Sequence, residues 1–289
     1  MKGIVLAGGL GTRLRPLTWM MSKQLLPIYD KPMIYYPLAT LMEAGIRDVL
    51  FISTPEDLPR IEQLLGCGKR FGMSFSYLEQ KEPKGIAEAF LIGEAFLEEG
   101  PVTLILGDNL FYSEGLANAL EEARIKEQGA TIFGYKVADP HRFGVLELDA
   151  QGRVTGIIEK PIQPPSNYAV TGLYCYDSSI VAKAKSLTPS PRGELEITDI
   201  NKLYLQENTL TASILDEKEA FWLDAGTSDT LYKAGQFVRE KEIELGQKLG
   251  CIEQTAYCKR FISKSQFQEL THLYGDNAYG QYLMSQLKL

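Results

Sequence analysis

The chain has little histidine and cysteine, the residues on which many metal sites and nucleophilic centres depend. Its 289 residues include two histidines and four cysteines, and no two cysteines have the Cys-x-x-Cys spacing. This composition argues against a zinc site and against a disulfide framework. We therefore expect the cysteines to be reduced, mostly buried thiols in a reducing compartment.

An excess of basic residues and long apolar runs are also missing. Lysine and arginine total 30 against 37 acidic residues, a net charge of −7, whereas a general nucleic-acid binder is usually basic. No apolar run is long enough to span a bilayer, and no secretion signal precedes the first strand-like run. We expect a cytoplasmic protein that binds neither nucleic acid nor membranes. An acidic chain still binds anions where positive charge is local.

What remains is the pattern of a globular α/β protein. Hydrophobic residues make up 45% of the chain, which suffices for a sizeable core. Strand-like runs alternate with helix-like segments such as 116–126, and this predicts a Rossmann-like, three-layer, mainly parallel sheet flanked by helices. The predicted strands are 48–53, 74–78, 103–106 and 130–135. Ligands bind outside the carboxyl ends of such strands.

The second half of the chain departs from this alternation. Residues 145–149 and 154–159, joined by a turn, predict an antiparallel hairpin, and 168–176 predicts a further strand. We expect these added antiparallel strands to hold a second substrate. Towards the end of the chain, 231–245 predicts one helix and 263–288 predicts two more.

The opening segment carries the strongest chemical signal. Residues 2–7 predict a buried strand, which the glycine-rich residues 8–11 follow. Glycines let the backbone turn sharply and bring its N–H groups close to a ligand. Arg13 then adds a planar, permanently charged group that matches phosphate oxygens. The segment fits neither the Walker A pattern nor the dinucleotide fingerprint. It indicates a polyphosphate-binding loop, against the plainer interpretation of a tight turn.

Eight motifs in colinear order resemble those of the sugar-phosphate nucleotidyltransferases, and they cover nearly all of the chain. They lie at residues 8–18, 22–27, 107–109, 143–145, 159–161, 167–172, 193–199 and 222–226. Within that family, segments 30–37 and 277–283 are most similar to the glucose-1-phosphate thymidylyltransferases. Leu10, Lys84 and Ala225 depart from the family's usual residues, and none of these changes removes a charged catalytic group. Lys84, where the family commonly has Asp, is expected to put a new cation beside the base pocket.

The resemblance implies a reaction and a cofactor. The phosphate oxygen of glucose 1-phosphate attacks the α-phosphorus of dTTP, which gives dTDP-glucose and releases pyrophosphate, with Mg²⁺ as the cofactor. This is the first step towards dTDP-rhamnose and other deoxysugars. An anionic phosphate needs no general base, and the scarcity of histidine agrees with such chemistry. The demand is to hold two anions together and to neutralise charge on the α-phosphate.

The resemblance also implies an organisation of the chain. Residues 1–226 form the nucleotidyltransferase core, with a nucleotide part over about 1–135 and a sugar-binding part over about 136–226. Residues 227–289 are expected to form a helical segment with oligomer or regulatory contacts, the regulatory ones around 251–260. The family forms homotetramers, and we expect the same assembly for this chain.

For the nucleotide, the resemblance points to the first half of the chain. Arg13 and Lys23 would neutralise the phosphates and the leaving pyrophosphate, and with Asp108 they are the expected catalytic residues. A glutamine amide donates and accepts at once, which suits a pyrimidine edge, so we expect Gln80 at the base beside the backbone of Gly85. The full nucleotide-binding set is Leu6, Gly8, Gly9, Gly11, Thr12, Arg13, Lys23, Gln24, Gln80, Gly85 and Asp108.

For the metal and the sugar phosphate, the resemblance implies a second set of residues. Asp108 and Asp224 are expected to share Mg²⁺ with the α-phosphate, because two carboxylates and phosphate oxygens suit this ion. The sugar-phosphate-binding set is Asn109, Gly144, Glu159, Lys160, Val170, Thr171 and Arg192. Plainer interpretations stand beside these. Asp108 and Asp224 would be caps, and Gly85 would be a turn residue. Glu159 and Lys160 would be an exposed hairpin pair.

Two rival functions stay open at this point. In the first, the chain would use UTP, ATP or another nucleotide, or another sugar phosphate such as N-acetylglucosamine 1-phosphate. The motifs separate these poorly, because dTTP and UTP differ by one methyl and one hydroxyl group and a methyl is worth only about 1–3 kcal/mol. Alternatively, it would be a catalytically silent sensor of nucleotide sugars, although all the expected charged groups are present. Hexapeptide repeats are missing, which excludes the bifunctional acetyltransferase relatives.

Overall fold

A central mixed sheet organises the fold. The computed structural model describes residues 1–98, 100–125 and 128–287. Its strands are β1 (Lys2–Leu6), β2 (Pro27–Ile28), β3 (Lys31–Pro32), β4 (Asp48–Ser53), β5 (Ser74–Glu79), β6 (Val102–Leu106), β7 (Asn109–Ser113), β8 (Ala130–Lys136), β9 (Gly144–Leu148), β10 (Val154–Glu159), β11 (Tyr168–Tyr176), β12 (Leu210–Leu215) and β13 (Ala220–Asp224). Its helices are α1 (Tyr35–Glu43), α2 (Leu58–Leu65), α3 (Glu88–Ile92), α4 (Glu94–Leu97), α5 (Leu116–Ile125), α6 (Ile180–Ser186), α7 (Ile197–Gln206), α8 (Ser228–Leu245), α9 (Ile252–Cys258), α10 (Lys264–His272) and α11 (Ala278–Gln286).

The sheet joins a parallel half to an antiparallel half. Over the described residues its main path runs β10-β9-β11-β6-β1-β4-β5, and β8 pairs with β11 and β12. The neighbours β6, β1, β4 and β5 are parallel, whereas β11 is antiparallel to β6, β8 and β9. Ile4 and Val5 of β1 are both fully buried, as a strand covered by helices on both faces requires.

Two hydrophobic cores fill the space on either side of the sheet. Because side chains alternate along a strand, Val5 contributes to one core and Ile4 to the other. The first core is closed by C-terminal helices, whose residues Ile252, Phe267 and Leu283 are buried. The second core contains Phe90 of α3 and Ile200 of α7, among others. The result is three layers, with helices on both faces of the sheet.

This architecture confirms the predicted fold class and most of the predicted elements. The strands predicted in the parallel half correspond to β4, β5 and β6, and the predicted hairpin is β9–β10, with Glu159 opposite Gly144. The helix predicted over 116–126 is α5, and Lys126 and Lys288 lie outside the described residues. Helix α9 was not predicted. The division of the chain at residue 226 stays a prediction.

A small ribbon outside the main sheet shapes the site. Strands β7 and β13 pair antiparallel, with Asn109 opposite Asp224. β7 follows β6 after only Gly107 and Asp108, so the ribbon extends directly from the carboxyl edge of the parallel strands. None of the described helices is both long and apolar enough to cross a bilayer.

Candidate active site

A continuous cleft lies at the carboxyl ends of β1 and β6. It consists of a larger cavity of about 490 Å³ and a smaller cavity of about 240 Å³. Both cavities are lined by Asp108, Glu159 and Lys160. Two ligands placed one in each cavity would therefore meet at these three side chains.

The glycine-rich loop borders the smaller cavity. Leu6, Gly8 and Gly9 line it, and their binding of the nucleotide stays a prediction. Gly11 and Thr12 line neither cavity. Gly11 has φ 56°, and a Cβ there would lie 2.9 Å from Thr18 Cγ2, so this glycine serves the fold of the loop.

Arg13 leaves the loop towards the larger cavity. Its side chain is 52% exposed, and its Nη2 lies 3.9 Å from Asp224 Oδ2. A Cβ on Gly226 would lie 2.8 Å from the same Nη2, so the guanidinium packs against the backbone that follows β13. A half-exposed arginine at this position is available to phosphate oxygens.

Lys23 and Asp108 form an ion pair at the junction of the two cavities. Burial disfavours the ammonium, but the adjacent Asp108 carboxylate outweighs it and raises the pKa of Lys23 above its ordinary value. Burial likewise disfavours the Asp108 carboxylate, but Lys23 and the amide of Asn109 (Nδ2 to Oδ1, 3.0 Å) hold its pKa below the ordinary value. Both groups are therefore charged at neutral pH.

Asp224 reaches this junction through backbone pairing. Its strand partner is Asn109, and the N–H of Ala225 donates to the carbonyl of Asp108 at 2.9 Å. Burial and the Asp108 carboxylate raise the pKa of Asp224 to about 6. Among the described residues, the buried Oδ1 of Asp224 has no hydrogen-bond partner. A buried oxygen without a hydrogen-bond partner destabilises the fold unless a ligand binds to it.

This donor set fits Mg²⁺. The described part of the chain contains no group of three or more His, Cys, Asp or Glu side chains arranged to hold a metal ion. A cation here would therefore take two carboxylates from the protein and its remaining oxygens from phosphate and water, which is the usual habit of Mg²⁺. The orphaned Oδ1 of Asp224 is an oxygen that such an ion would satisfy.

The Gln80 amide nitrogen is hydrogen-bonded within the protein, and the role of Gln80 at the base stays a prediction. Its side-chain Nε2 donates to Glu88 Oε2 at 2.8 Å and to the Gly85 carbonyl at 3.3 Å. The amide therefore does not offer a free donor to a pyrimidine, and its Oε1 remains as the acceptor. Gly85 has φ 102°, and a Cβ there would lie 2.3 Å from Leu195 O, so close backbone packing explains this glycine.

Gln24 lines the smaller cavity, whereas the three unusual residues line neither cavity. Gln24 is buried and lines the smaller cavity, where its Nε2 approaches the Gly8 carbonyl at 3.4 Å. Lys84 points away, since it is exposed and paired with Glu82 at 3.0 Å. Leu10 is exposed and Ala225 is fully buried. None of the three departures brings a new charge into the cleft.

An irregularity in β11 shapes the larger cavity. The register of β11 against β8 shifts between Val170 and Tyr174, which frees the backbone of the residues between them. The N–H of Gly172 then donates to Asn109 Oδ1 at 3.1 Å. Thr171 is fully buried and, within the described residues, its Oγ1 has no hydrogen-bond partner. Val170 and Thr171 line the cavity, and their contact with the sugar phosphate stays a prediction.

Glu159 and Lys160 end the predicted hairpin at the floor of both cavities. Thr198 Oγ1 donates to Glu159 Oε2 at 2.5 Å, and Lys160 Nζ lies 3.7 Å from Glu159 Oε1. Gly144 pairs with Glu159 across the hairpin and lines the larger cavity. Glu159 and Lys160 line both cavities, and this argues against the interpretation that they are only an exposed pair at the end of a hairpin.

The Arg192 guanidinium forms ion pairs with three carboxylates. Its Nη2 lies 2.8 Å from Glu196 Oε2, 3.3 Å from Glu194 Oε2 and 3.4 Å from Glu159 Oε1. It lines the smaller cavity rather than the larger one. A phosphate contact by Arg192 would require it to loosen one of these pairs.

Several residues in or next to the cleft were not assigned from the sequence, and Arg142, Trp222, Thr198 and Glu88 contact residues that were. Arg142 Nη2 lies 3.6 Å from Asp224 Oδ2, so two arginines flank this carboxylate. Trp222 Nε1 donates to Asn109 Oδ1 at 2.7 Å. Thr198 and Glu88 orient Glu159 and Gln80. Trp222 and Thr198 lie within the motifs at residues 222–226 and 193–199, whereas Arg142 and Glu88 lie in none of the eight motifs.

The fold and the cleft together define a nucleotidyltransferase. The glycine-rich loop, the two carboxylates and the lysine lie at the place where a nucleotide and a second phosphate would meet. The sequence profile of the Nucleotidyl transferase family matches residues 2–241. The chain belongs to this family.

Full-length relatives narrow the similarity to glucose-1-phosphate thymidylyltransferases. The protein of that name from Neisseria meningitidis serogroup A is 49% identical over 288 residues and covers 100% of both chains. The one from Mycobacterium tuberculosis (strain H37Rv) is 46% identical over 288 residues, covering 100% of this chain and 99% of that protein. These similarities confirm the resemblance inferred from the motifs.

Solved structures share the same fold. One from Bacillus anthracis, described as a candidate glucose-1-phosphate thymidylyltransferase in complex with a sucrose, has a TM-score of 0.78 at 41% identity and covers 83% of this chain and 96% of that one. UDP-glucose pyrophosphorylase complexed with UDP-glucose has a TM-score of 0.72 at 27% identity and covers 83% of this chain and 98% of that one.

Proposed function

We propose that the protein transfers a thymidylyl group from dTTP to α-D-glucose 1-phosphate, giving dTDP-glucose and pyrophosphate. The observation that carries the proposal is the cluster of Lys23, Asp108 and Asp224 at the meeting point of the two cavities. The relatives named glucose-1-phosphate thymidylyltransferase support the choice of substrates.

In the proposed reaction, an oxygen of the sugar phosphate forms a bond to the α-phosphorus of dTTP. The bond from the α-phosphorus to the bridging oxygen of pyrophosphate breaks, and pyrophosphate leaves as an anion. No proton needs to be removed from the nucleophile. The protein's task is to bring two anions together and to offset charge on the α-phosphate.

Lys23 and Arg13 would supply that positive charge. Lys23 is held by Asp108 between the two cavities, where it reaches both the attacked phosphate and the incoming one. Arg13 is half exposed at the edge of the larger cavity, which suits the leaving pyrophosphate. Gly8 and Gly9 line the smaller cavity and would let the triphosphate approach the backbone.

Asp108 and Asp224 would hold Mg²⁺. When bound, this ion withdraws electron density from the α-phosphate and stabilises the charge that develops there. Asp224 has an unpartnered Oδ1 for it. Asp108 is kept ionised by Lys23 and Asn109, so both carboxylates meet the requirement for charged ligands.

The sugar phosphate would occupy the larger cavity. Glu159, oriented by Thr198, would accept hydrogen bonds from glucose hydroxyls, and Lys160 would bind the phosphate. Asn109 is fixed by donors from Trp222 and Gly172. We propose that the backbone at Gly144 and Val170 bounds the sugar ring and that Arg192 adds a phosphate contact.

We also propose that the enzyme is a cytoplasmic homotetramer. The described residues contain no disulfide, which agrees with a reducing compartment. Leu17, Tyr29 and Tyr232 are exposed apolar residues that line one groove, and exposed apolar patches commonly mark interaction surfaces. Sedimentation velocity tests this, and a monomer would contradict it. A regulatory site around residues 251–260 stays a prediction.

The deciding experiment is pyrophosphate release with glucose 1-phosphate and Mg²⁺, comparing dTTP, UTP, dCTP, ATP and GTP. We expect the highest kcat/KM with dTTP. A preference for UTP would keep the mechanism and change the nucleotide. Absence of turnover with every nucleotide, together with retained nucleotide-sugar binding, would replace the enzyme by a sensor.

A further inference from the structure

The Gln80 amide is held in one orientation by two acceptors. Its Nε2 donates to a carboxylate oxygen of Glu88 at 2.8 Å and to the main-chain carbonyl of Gly85 at 3.3 Å. Carboxylate and carbonyl oxygens accept hydrogen bonds and do not donate them. The chemistry of the partners therefore requires the NH₂ group on this side and the carbonyl oxygen on the other.

The free end of the amide faces the smaller cavity. Gln80 lines that cavity and is only 5% exposed. Its Oε1 lies so close to Gly8 that a Cβ there would approach it to 2.6 Å. Among the described residues, no group donates a hydrogen bond to Oε1. Oε1 is not one of the fully buried atoms that lack a partner, so it is open to the cavity, where a ligand can donate a hydrogen bond to it.

Both partners in this contact are anchored by the backbone. Gln80 directly follows β5, and its N–H donates to the Ser53 carbonyl at 2.7 Å. Glu88 is the first residue of α3, and the N–H of the preceding Ala87 donates to the Leu195 carbonyl at 3.2 Å. Because neither chain segment is free to move, the carboxylate of Glu88 acts as a fixed reference for the amide.

We infer that Glu88 is a positioning residue for base selection, which acts by locking Gln80 Oε1 towards the nucleobase. This inference rests on the proposed function, because it places the base in the smaller cavity. Thymine and uracil carry a donor at N3, and Oε1 accepts from it. Cytosine has a lone pair at N3, so the same oxygen would face an acceptor. Glu88 thus favours thymine and uracil over cytosine.

Removing the carboxylate frees the amide to rotate. The remaining contact to Gly85 at 3.3 Å is the longer of the two, and it leaves one Nε2 hydrogen without a partner. A half-turn would bring the NH₂ group to the cavity, where it suits the N3 lone pair of cytosine, and only the longer contact to the Gly85 carbonyl would then oppose that turn. Because sites that pair a buried polar group discriminate strongly, the dTTP:dCTP ratio of kcat/KM is expected to fall about tenfold or more in Glu88→Ala.

Two further variants make the test specific. Glu94→Ala removes an exposed carboxylate from the neighbouring helix α4, where it pairs with Lys185, and it should leave the ratio unchanged. Glu88→Asp keeps the charge but withdraws the carboxylate by one methylene group, so the ratio should fall here too. Glu88→Asp carries the test if Glu88→Ala does not fold.

A double-mutant cycle separates positioning from structural support. If Glu88 acts through Gln80, the substitution Glu88→Ala should have no effect on the dTTP:dCTP ratio in a Gln80→Ala background. Direct binding of dTTP and dCTP, measured calorimetrically without sugar phosphate, should show the same pattern. An unchanged ratio in both Glu88 variants, or an undiminished effect in the Gln80→Ala background, would overturn the inference.

These experiments distinguish an incorrect role for Glu88 from failure of the proposed function. If the unmodified protein turns over dTTP and discriminates against dCTP, the proposed function holds, and the variants then decide the role of Glu88. If the unmodified protein binds neither dTTP nor dCTP, the base does not occupy the smaller cavity. Both the site assignment and this inference then fail together.

Discussion

Asn109 and Asp224 lie directly opposite each other in the β7–β13 ribbon, although they are far apart in the sequence. This register, reinforced by the bond from Ala225 N–H to the Asp108 carbonyl at 2.9 Å, brings Asp224 beside Asp108. Backbone pairing therefore holds two carboxylates together against their electrostatic repulsion. The pair is costly without a cation and becomes favourable with one.

Replacing Asp224 by asparagine is expected to abolish turnover and to stabilise the metal-free protein. Burial and Asp108 raise the pKa of Asp224 to about 6, above about 3.9 for an unfolded aspartate. Between these values the folded state binds more protons than the unfolded state, so its stability falls as the pH rises. Asparagine does not titrate, so the D224N variant should not lose stability in this way as the pH rises. In EDTA, the stability gained by D224N should grow from about pH 4 to about pH 6 and reach about 3 kcal/mol at pH 7.

The control for that prediction is Asp229→Asn. Asp229 is exposed in the first turn of α8, so its substitution should change neither the pH profile of the Tm nor the turnover. A D224N protein that is less stable than its parent at pH 7 without metal would contradict the prediction.

Lys160→Ala should raise the KM for glucose 1-phosphate about tenfold or more, because a hydrogen bond to a charged group contributes about 1.5–3 kcal/mol. The KM for dTTP should rise less, because we assign Lys160, which lines both cavities beside Glu159, to the phosphate of the sugar. Initial-rate kinetics with each substrate varied in turn measure both values. Lys136→Ala, which removes an exposed lysine paired with Glu217, is the matched control. Equal effects on the two substrates would rule out a sugar-phosphate role.

Binding of glucose 1-phosphate should change the fluorescence of one tryptophan. The chain has two tryptophans; Trp222 is buried at the larger cavity, whereas Trp19 is 71% exposed. We expect the ligand-induced change to persist in Trp19→Phe and to vanish in Trp222→Phe. A change that survives in Trp222→Phe would place the sugar phosphate elsewhere.

The cysteines should divide into two reactivity classes. Cys67 and Cys258 are exposed, whereas Cys175 and Cys251 are buried, and burial with the nearby Glu253 raises the pKa of Cys251 to about 12. Because the thiolate is the reactive form, iodoacetamide at pH 8 should label the exposed pair alone in the folded protein. Peptide mass spectrometry measures the labelling, and all four should react in denaturant.

Glu242→Ala should destabilise the fold by about 3 kcal/mol, because it leaves a buried lysine with one partner fewer. Lys31 Nζ lies 2.9 Å from Glu242 Oε1 and its side chain is 1% exposed. The same carboxylate accepts from Leu249 N–H at 2.9 Å. Denaturant unfolding measures the change, with the exposed Glu240→Ala on the same helix as control. Equal stability of the two variants would contradict this role for Glu242.

Local sequence was sufficient for the fold class and for much of the cleft. Alternating apolar runs and turn residues depend on neighbours in the chain, so the pattern predicted β4, β5, β6 and the hairpin correctly. The glycine loop, Lys23 and Asp108 carry their chemistry in short motifs, and the structure brings them to one edge of the sheet. The family likewise followed from eight motifs in order.

Tertiary structure alone decided how the groups in the cleft are used. The raised pKa of Asp224 depends on burial and on a carboxylate from another strand, and neither is visible in a local window. The acceptor role of Gln80 depends on Glu88, which joins it only after α3 packs. The shift in β11 depends on strand pairing. In each case the cause is a contact between residues that are far apart in the chain. Such contacts determine which groups are buried together, which hydrogen bonds they form and which of them are charged, and the residue type alone does not determine these properties.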